Sequence, residues 1–140
     1  MFTYLDTSSL VKLYVEEDES SFVYDLVRSS EITATSIIAY AEARAAFACR
    51  FREKAFTLKE HIRLKAVFDE DWSNYFILNL TENMVKMAGD LADKHSLRGI
   101  DSIHLATALT LRRELDTDII FLCFDNNLQK ASEHEGLVQK

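Results

Sequence analysis

Four acidic residues in this chain have the type and the placement that metal-assisted chemistry requires: Asp6, Glu42, Asp101 and Asp125. Two carboxylates about 4 Å apart repel each other by roughly 4 kcal/mol at an effective dielectric constant of about 20. A cluster of four would therefore take up protons or bind cations, and carboxylate oxygens select hard ions such as Mg²⁺ or Mn²⁺. Such an ion lowers the pKa of water and neutralises charge at a phosphodiester. If the fold gathers these residues, the sequence predicts metal-dependent phosphodiester hydrolysis.

The elements that must position these residues alternate between strand and helix patterns. Apolar runs predict strands at residues 2–5, 32–35, 75–80 and 119–124. Periodicity and capping signals predict helices at residues 9–16, 18–28, 36–53, 57–71, 81–95, 101–115 and 127–133. Leu137 and Val138 are candidates for a further edge strand. The alternation predicts right-handed crossovers and an α/β fold, with a parallel sheet of four to five strands between helices.

The predicted order of elements brings the acidic residues to one edge of the sheet. In open parallel sheets the functional crevice lies beyond the carboxyl ends of the strands. Asp6 and Asp125 each follow a strand, Glu42 lies in the first turns of the helix after the second strand, and Asp101 begins a helix. Any one of the aspartates could be an ordinary helix N-cap, and Glu42 alone could be a solvated glutamate. Their combination favours a site, and because that site would be strained by its own charge, we expect Glu42→Gln to raise the melting temperature of the metal-free protein.

Charge is distributed unevenly along the chain. The total is −7, yet residues 44–65 carry seven basic residues against two acidic ones, a net charge of +5. The basic residues are Arg44, Arg50, Arg52, Lys54, Lys59, Arg63 and Lys65. This segment is either a track for the phosphates of a nucleic acid or a solvated helical surface.

Composition sets the domain organisation and the expected compartment. Proline is absent and glycine occurs only three times, so no linker is indicated and we expect one domain over residues 1–140. Cys49 and Cys123 lie in apolar segments without metal or redox spacing, and we expect both to be buried and reduced. No signal-peptide pattern and no apolar run of membrane length occur, so the sequence predicts a cytoplasmic protein that does not enter the membrane.

Four segments resemble, in order and spacing, the motifs of the PIN-domain nucleases. They are Tyr4–Tyr14 (YLDTSSLVKLY), Ala41–Ala46 (AEARAA), Leu97–Ala108 (LRGIDSIHLATA) and Phe124–Leu128 (FDNNL). More narrowly, they resemble the VapC toxins of prokaryotic toxin–antitoxin pairs. The resemblance implies a three-layer PIN-like fold with a five-stranded parallel sheet, and a Mg²⁺- or Mn²⁺-dependent endoribonuclease that cleaves RNA.

The same resemblance implies roles for individual residues and partners. Asp6, Glu42, Asp101 and Asp125 match the family's acidic, metal-binding quartet, and Ser8 matches a hydroxyl residue that bonds the site carboxylates or a metal-bound water. The family forms homodimers, and a cognate VapB-type antitoxin inserts a basic side chain into the metal site. The helices that carry Phe47, Phe51, Phe56, Phe68 and Trp72 are where the resemblance places dimer or antitoxin contacts, and the helical spacing of these aromatic residues favours packing over the stacking of bases.

Other interpretations remain open at this stage. His104 lies on a face similar to that of Asp101, where a packed or supporting histidine is favoured over a catalytic base. An aspartyl-phosphate phosphatase would need a second aspartate where Ser8 stands, and a phosphorylated receiver domain would need acidic and lysine residues that are missing. The main alternative is a PIN-like module that binds RNA or a protein partner without cutting.

Overall fold

A parallel sheet of four strands organises the computed structural model, which describes residues 1–140. The strands are β1 (Phe2–Leu5), β2 (Ile32–Ser36), β3 (Phe76–Leu78) and β4 (Ile119–Leu122), in the spatial order β3-β2-β1-β4. The helices are α1 (Thr7–Val11), α2 (Ser20–Ser29), α3 (Ile38–Arg52), α4 (Leu58–Trp72), α5 (Glu82–His95), α6 (Gly99–Leu115) and α7 (Asn126–His134). All three strand pairs are parallel. The α/β fold class predicted from the sequence is confirmed.

Two apolar clusters, one on each face of the sheet, create the three layers. Tyr4 of β1 stacks on Phe121 of β4, with ring centroids 5.5 Å apart, and both belong to the cluster that α5, α6 and α7 cover. The neighbouring residues Leu5 and Leu122 point the other way, into the cluster that α1 to α4 cover. Alternate residues of one strand therefore supply both cores, because successive side chains of a strand point to opposite faces.

The continuous apolar run at residues 119–124 forms the predicted buried strand, β4. All four residues of β4 are buried, as expected for a strand covered on both faces. The predicted edge strand at Leu137 and Val138 is reduced to a single parallel bridge between Ile120 and Val138. The sheet therefore has four strands, the lower of the two numbers expected.

Three local expectations were wrong in ways that have physical causes. Helix α1 ends at Val11 instead of residue 16. The acidic residues 16–19 would place four negative charges at its C-terminus, where the helix dipole disfavours anions. Cys49 is exposed, because α3 buries the stripe Ala39, Ala43 and Phe47 instead. Strand β3 is limited to three residues at the edge of the sheet.

The strand order places a crevice between β1 and β4. From β1 the chain builds β2 and β3 on one side, and it then crosses to the other side of β1 to form β4. Such a reversal of strand order opens a crevice at the carboxyl ends of the two strands, where α/β proteins bind their ligands. Asp6 follows β1 and Asp125 follows β4 closely. None of the seven helices has the combined length and apolar character that crossing a bilayer requires.

Candidate active site

Asp6 lies at the turn from β1 to α1 and is the N-cap of that helix. Its Oδ1 accepts hydrogen bonds from the backbone N–H of Ser9 at 2.9 Å and from the hydroxyl of Ser8 at 2.8 Å. The residue is only 5% exposed. Burial raises the pKa of Asp6, against the opposing effects of His104 and of these hydrogen bonds. The two hydrogen bonds thus orient a carboxyl group whose environment disfavours its own negative charge.

Asp125 repeats this arrangement on the neighbouring strand. It is the N-cap of α7, and its Oδ2 accepts the backbone N–H of Leu128 at 2.9 Å. Both aspartates are therefore helix caps as well as residues of the crevice. The two interpretations that the sequence left open are compatible, since the cap needs only one oxygen of each carboxylate.

Glu42 projects from the second turn of α3 and is held by two donors. The hydroxyl of Thr7 donates to Glu42 Oε1, and His104 Nε2 lies 3.1 Å from the same oxygen. Burial alone would raise the pKa of Glu42, but the hydrogen bonds from His104 and Thr7 outweigh it and lower the pKa. Glu42 is consequently more acidic than usual, whereas Asp6 is less acidic. The lowered pKa of Glu42 argues against the expectation that Glu42→Gln raises the melting temperature, which a thermal melt can test.

His104 is buried, and both of its ring nitrogens are engaged. Its Nδ1 lies 2.7 Å from the hydroxyl of Tyr4, and its side chain is 2% exposed. Burial raises the pKa of Tyr4 well above its ordinary value, so this hydroxyl keeps its proton and can donate it to Nδ1. A neutral imidazole with its proton on Nε2 satisfies both contacts, by accepting from Tyr4 and donating to Glu42. His104 therefore lies at the wall of the crevice and supports Glu42, but both of its ring nitrogens are engaged and it is not a free base.

Asp101 lies in the first turn of α6, two residues later than its predicted position at the start of the helix. The N-cap position belongs to Arg98, whose Nε donates to Asp101 Oδ2 at 2.9 Å. The Arg98 side chain is 75% exposed, and that of Asp101 is 11% exposed. Its hydrogen bond to Asp101, together with the charges of Asp101, Asp125 and Asp6, raises the pKa of Arg98. The pKa of the guanidinium is therefore raised by three of the four acidic residues of the crevice.

All four acidic residues line one cavity of about 650 Å³. Its lining also includes Thr7, Ser8, His104, Cys49 and three basic residues, namely Lys12, Arg50 and Arg98. The topology thus brings together the complete set of acidic residues proposed from the sequence, from four segments of the chain. Of the seven basic residues in the predicted basic segment, only Arg50 lines the cavity, on the same face of α3 as Glu42.

Comparison with known proteins agrees with this architecture. The family model for the PIN domain matches residues 3–133. The chain belongs to the PIN-domain family. Ribonuclease VapC45 of Mycobacterium tuberculosis is 32% identical to this PIN domain over 133 residues, which cover 95% of this chain and 90% of the relative. The resemblance inferred from the four motifs is therefore confirmed.

Solved structures share the fold of this PIN domain. VapC20 of Mycobacterium tuberculosis, a sarcin–ricin loop-cleaving toxin, matches with a TM-score of 0.67 at 16% identity, covering 97% of this chain and 96% of that chain. A toxin–antitoxin complex from Klebsiella pneumoniae matches with a TM-score of 0.57 at 17% identity, covering 84% and 83% of the two chains. At these identities the likeness concerns the fold alone.

The donor set of this PIN domain fits a hard divalent ion in type. Its four acidic groups offer only oxygen ligands, as Mg²⁺ and Mn²⁺ prefer. No three of these carboxylates bring oxygen atoms within 4.8 Å of one another. Donors of the protein itself hold Glu42 and Asp101. Mg²⁺ is usually held by one or two carboxylates and several waters, so this wider spacing suits it.

Four residues of the site were not proposed from the sequence. Thr7 and Tyr4 act through contacts to Glu42 and His104 that only the three-dimensional arrangement reveals. Lys12 lies beside the crevice with its ammonium 4.8 Å from the centre of the Phe124 ring. Arg98 could have been suspected from its position three residues before Asp101, since side chains at that spacing meet on a helix.

Proposed function

We propose that this PIN domain is an endoribonuclease that depends on a divalent ion, Mg²⁺ or Mn²⁺, held by Asp6, Glu42, Asp101 and Asp125. The observation that carries the proposal is the convergence of these carboxylates on one cavity at the carboxyl edge of the sheet. The name ribonuclease, given to a relative that matches 95% of the chain, supports the reaction class. When bound, the ion supplies charge neutralisation at the scissile phosphate and makes water more acidic.

The chain's own side chains prepare the site by giving two carboxyl groups opposite properties. Ser8 and Ser9 donate hydrogen bonds to one oxygen of Asp6. Burial raises the pKa of this carboxyl group, so a bound cation or proton would stabilise it. His104 and Thr7 hold Glu42 in its ionised form. Carboxyl groups whose environments separate their pKa values can divide acidic and basic roles between them. Ser8 is in this proposal a positioning residue for Asp6.

The basic side chains around the cavity give the RNA backbone its contacts. Lys12, Arg50 and Arg98 line the same cavity as the acidic quartet. Phosphate contacts of this kind position a nucleic acid without reading its sequence, and they make binding dependent on salt. They would compensate for the repulsion between RNA and a chain whose total charge is −7.

We further infer that the enzyme is a cytoplasmic toxin restrained by a VapB-type antitoxin and that it forms a homodimer. The ion pair between Arg98 and Asp101 supports insertion of an antitoxin arginine, since it places a guanidinium against a carboxylate of the site. Leu58 and Ile62, one turn apart on α4, are 60% and 55% exposed and offer an apolar surface for a protein partner. We also take residues 1–140 to act as a single domain.

RNA cleavage by the purified chain, with Mg²⁺ or Mn²⁺ and with EDTA, tests the proposed reaction. We expect Asp6→Asn and Asp101→Asn each to lower cleavage by about 100-fold or more, because each removes charge that holds the ion. The matched control is Asp90→Asn, which removes an exposed carboxylate of α5 outside the cavity. Cleavage that survives EDTA and both site substitutions would contradict the proposal, and RNA binding without cleavage would favour the non-cutting module.

Growth of the host tests the toxin assignment separately. Expression of the wild type should arrest growth, expression of Asp6→Asn should not, and a small protein encoded beside the gene should restore growth. Equal growth of wild type and variant at matched protein levels would contradict the toxin role. Cleavage of RNA in vitro would then still support a nuclease with another purpose.

A further inference from the structure

A second group of metal-ligand side chains lies at the end of α7 remote from the crevice. Asp125 caps the N-terminus of α7, whereas His134 is its last residue and Glu135 follows it. The nine residues of this helix separate the two ends by about 13 Å at 1.5 Å per residue. His95, the last residue of α5, reaches the same place. None of these three residues lines the active-site cavity.

The three side chains present their ligand atoms to one another. His95 Nε2 lies 2.7 Å from Glu135 Oε2, and His134 Nδ1 lies 3.6 Å from the same oxygen. The three ligand atoms all lie within 4.8 Å of one another. In a tetrahedral zinc site with bonds of about 2.0–2.1 Å, neighbouring ligand atoms are about 3.3 Å apart. The His95–Glu135 separation is shorter than that value and the His134–Glu135 separation is slightly longer, so the side chains are close enough to share one ion after they rotate apart or together.

We propose that His95, His134 and Glu135 form a second metal site, for a transition-metal ion of the Zn²⁺ type with an open coordination position. Two imidazoles and one carboxylate form a ligand set that suits Zn²⁺ and not Mg²⁺. The His134 side chain is 66% exposed, so solvent reaches the cluster and can supply the fourth ligand. The site differs in ligand chemistry from the all-oxygen set of the crevice.

The bound ion would join the ends of two helices and the beginning of the C-terminal tail. His95 closes α5, His134 closes α7, and Glu135 leads into the segment in which Val138 bridges to β4. The backbone carbonyl of Glu135 also accepts a hydrogen bond from Arg112 of α6 at 2.9 Å. An ion at this place acts as a cross-link between elements far apart in sequence, which stabilises the folded chain by mass action.

Lys94 would compete with the ion for the carboxylate of Glu135. Its Nζ lies 2.7 Å from Glu135 Oε2, and its side chain is 52% exposed. Hydrogen bonds from Lys94 and His95 lower the pKa of Glu135 to about 2, and an ion bound here would replace both of these donors at the carboxylate. An exposed lysine can leave at little cost, because ion pairs at the protein surface contribute little to stability.

Zn²⁺ titration of the full chain tests the site. The titration uses the Asp6→Asn background, which weakens binding in the crevice, with calorimetry for affinity and NMR of the imidazole nitrogens for location. We expect one equivalent of Zn²⁺ to shift the ring signals of His95 and His134 while those of His61 stay in place. Zn²⁺ should also raise the melting temperature.

Variants of exposed residues decide the assignment without disturbing the fold. His134→Gln should weaken Zn²⁺ binding by at least about tenfold, since loss of even an outer partner of a ligand costs roughly 10–100-fold. Glu133→Gln, a change at the exposed neighbouring residue, should leave the affinity unchanged, and Lys94→Gln should raise it. Equal affinities for His134→Gln and Glu133→Gln, or ring shifts confined to other histidines, would overturn the proposal. RNA cleavage is not needed as a readout, so the result stands apart from the nuclease assignment.

Discussion

His104 Nε2 and Glu42 Oε1 lie 3.1 Å apart, although 62 residues separate them in the sequence. This contact joins α6 to α3 directly beneath the crevice and is continued on the other side of the imidazole by the Tyr4 hydroxyl. The buried ring therefore fixes the orientation of the Glu42 carboxylate relative to β1 of the sheet. The hydrogen bond also keeps Glu42 ionised, which a solvent-exposed glutamate would not need.

Replacing His104 should change the acidity of Glu42 and hence the pH dependence of cleavage. His104→Asn loses the Nε2 donor, whereas His104→Gln can place its amide N–H near that position. We expect the Asn variant to cleave roughly tenfold more slowly, since a hydrogen bond to a charged group contributes about 1.5–3 kcal/mol. Because the pKa of Glu42 then rises, the acidic limb of its pH–rate profile should move to higher pH. Superimposable profiles for the two variants would contradict a supporting role for His104.

Asp6→Asn should stabilise the metal-free protein at neutral pH. Burial raises the pKa of Asp6 in the folded state, so between the unfolded and folded pKa values the folded chain holds more protons. Stability therefore falls as pH rises through that window, and the loss is complete above it. Asparagine keeps the cap without the charge. We expect a melting temperature higher by roughly 2–4 °C, the effect of about 1 kcal/mol in a domain near this size.

The pH dependence of that difference provides its check. Below both pKa values Asp6 is protonated in either state, so the melting temperatures of wild type and Asp6→Asn should converge in acid. Glu42→Gln should behave oppositely, because the lowered pKa of Glu42 means that its ionised form stabilises the fold above the unfolded pKa. It should lower the melting temperature at neutral pH. A rise for Glu42→Gln would restore the sequence-based expectation and contradict the hydrogen-bond geometry.

Removal of metal should destabilise the wild type measurably. A ligand that binds only the folded state stabilises it by about 2.7 kcal/mol at a concentration 100 times its Kd. Mg²⁺ or Mn²⁺ should therefore raise the melting temperature, EDTA should reverse the effect, and Asp101→Asn should reduce it. Thermal melts with and without ion measure this directly. The same melting temperature with and without millimolar Mn²⁺ would count against a coordinating cluster in the crevice.

Arg50 and Lys54 should differ in their effect on RNA binding. Both belong to the basic segment at residues 44–65, but Arg50 lines the cavity whereas Lys54 is exposed beyond the end of α3. Arg50→Gln should weaken binding and reduce the magnitude of the salt slope by about 1, as expected for one lost phosphate contact. Lys54→Gln serves as the control with the same loss of charge. Equal salt slopes for the two variants would mean that the segment acts only through its overall charge.

The site residues that directly follow a strand could be predicted from the sequence. Asp6 and Asp125 each end an apolar strand, and the rule that crevices open at carboxyl ends of strands is enough to bring them together. The partners of Glu42 could not be foreseen, because they depend on the rotation of α3 against α6. Small and apolar residues occur on every face of α3, so its sequence does not show which face packs against the sheet. The prediction that Cys49 is buried was wrong for this reason.

The sequence showed where basic residues cluster along the chain but not which of them lie at the cavity. The basic segment was evident from composition, yet its side chains mostly follow the exposed surface of α3 and α4, and only Arg50 reaches the cavity. Arg98 and Lys12 are single basic residues in ordinary surroundings, and nothing local distinguishes them from solvated side chains. Their role comes from neighbours contributed by distant segments, which the spacing along the chain does not encode.

The pairing of β1 with β4 determines when the crevice can exist during synthesis. Tyr4 of β1 lies opposite Phe121 of β4, so this side of β1 stays unpaired until a segment more than a hundred residues later has been synthesised. Until that segment leaves the ribosome, Asp6 has no neighbouring Asp125, and pairing over such a sequence distance is slow. A chain that lacks β4 cannot bring Asp125 beside Asp6, and we expect such a chain to be inactive. For a ribonuclease, this topology would couple the onset of RNA cleavage to the synthesis and docking of β4.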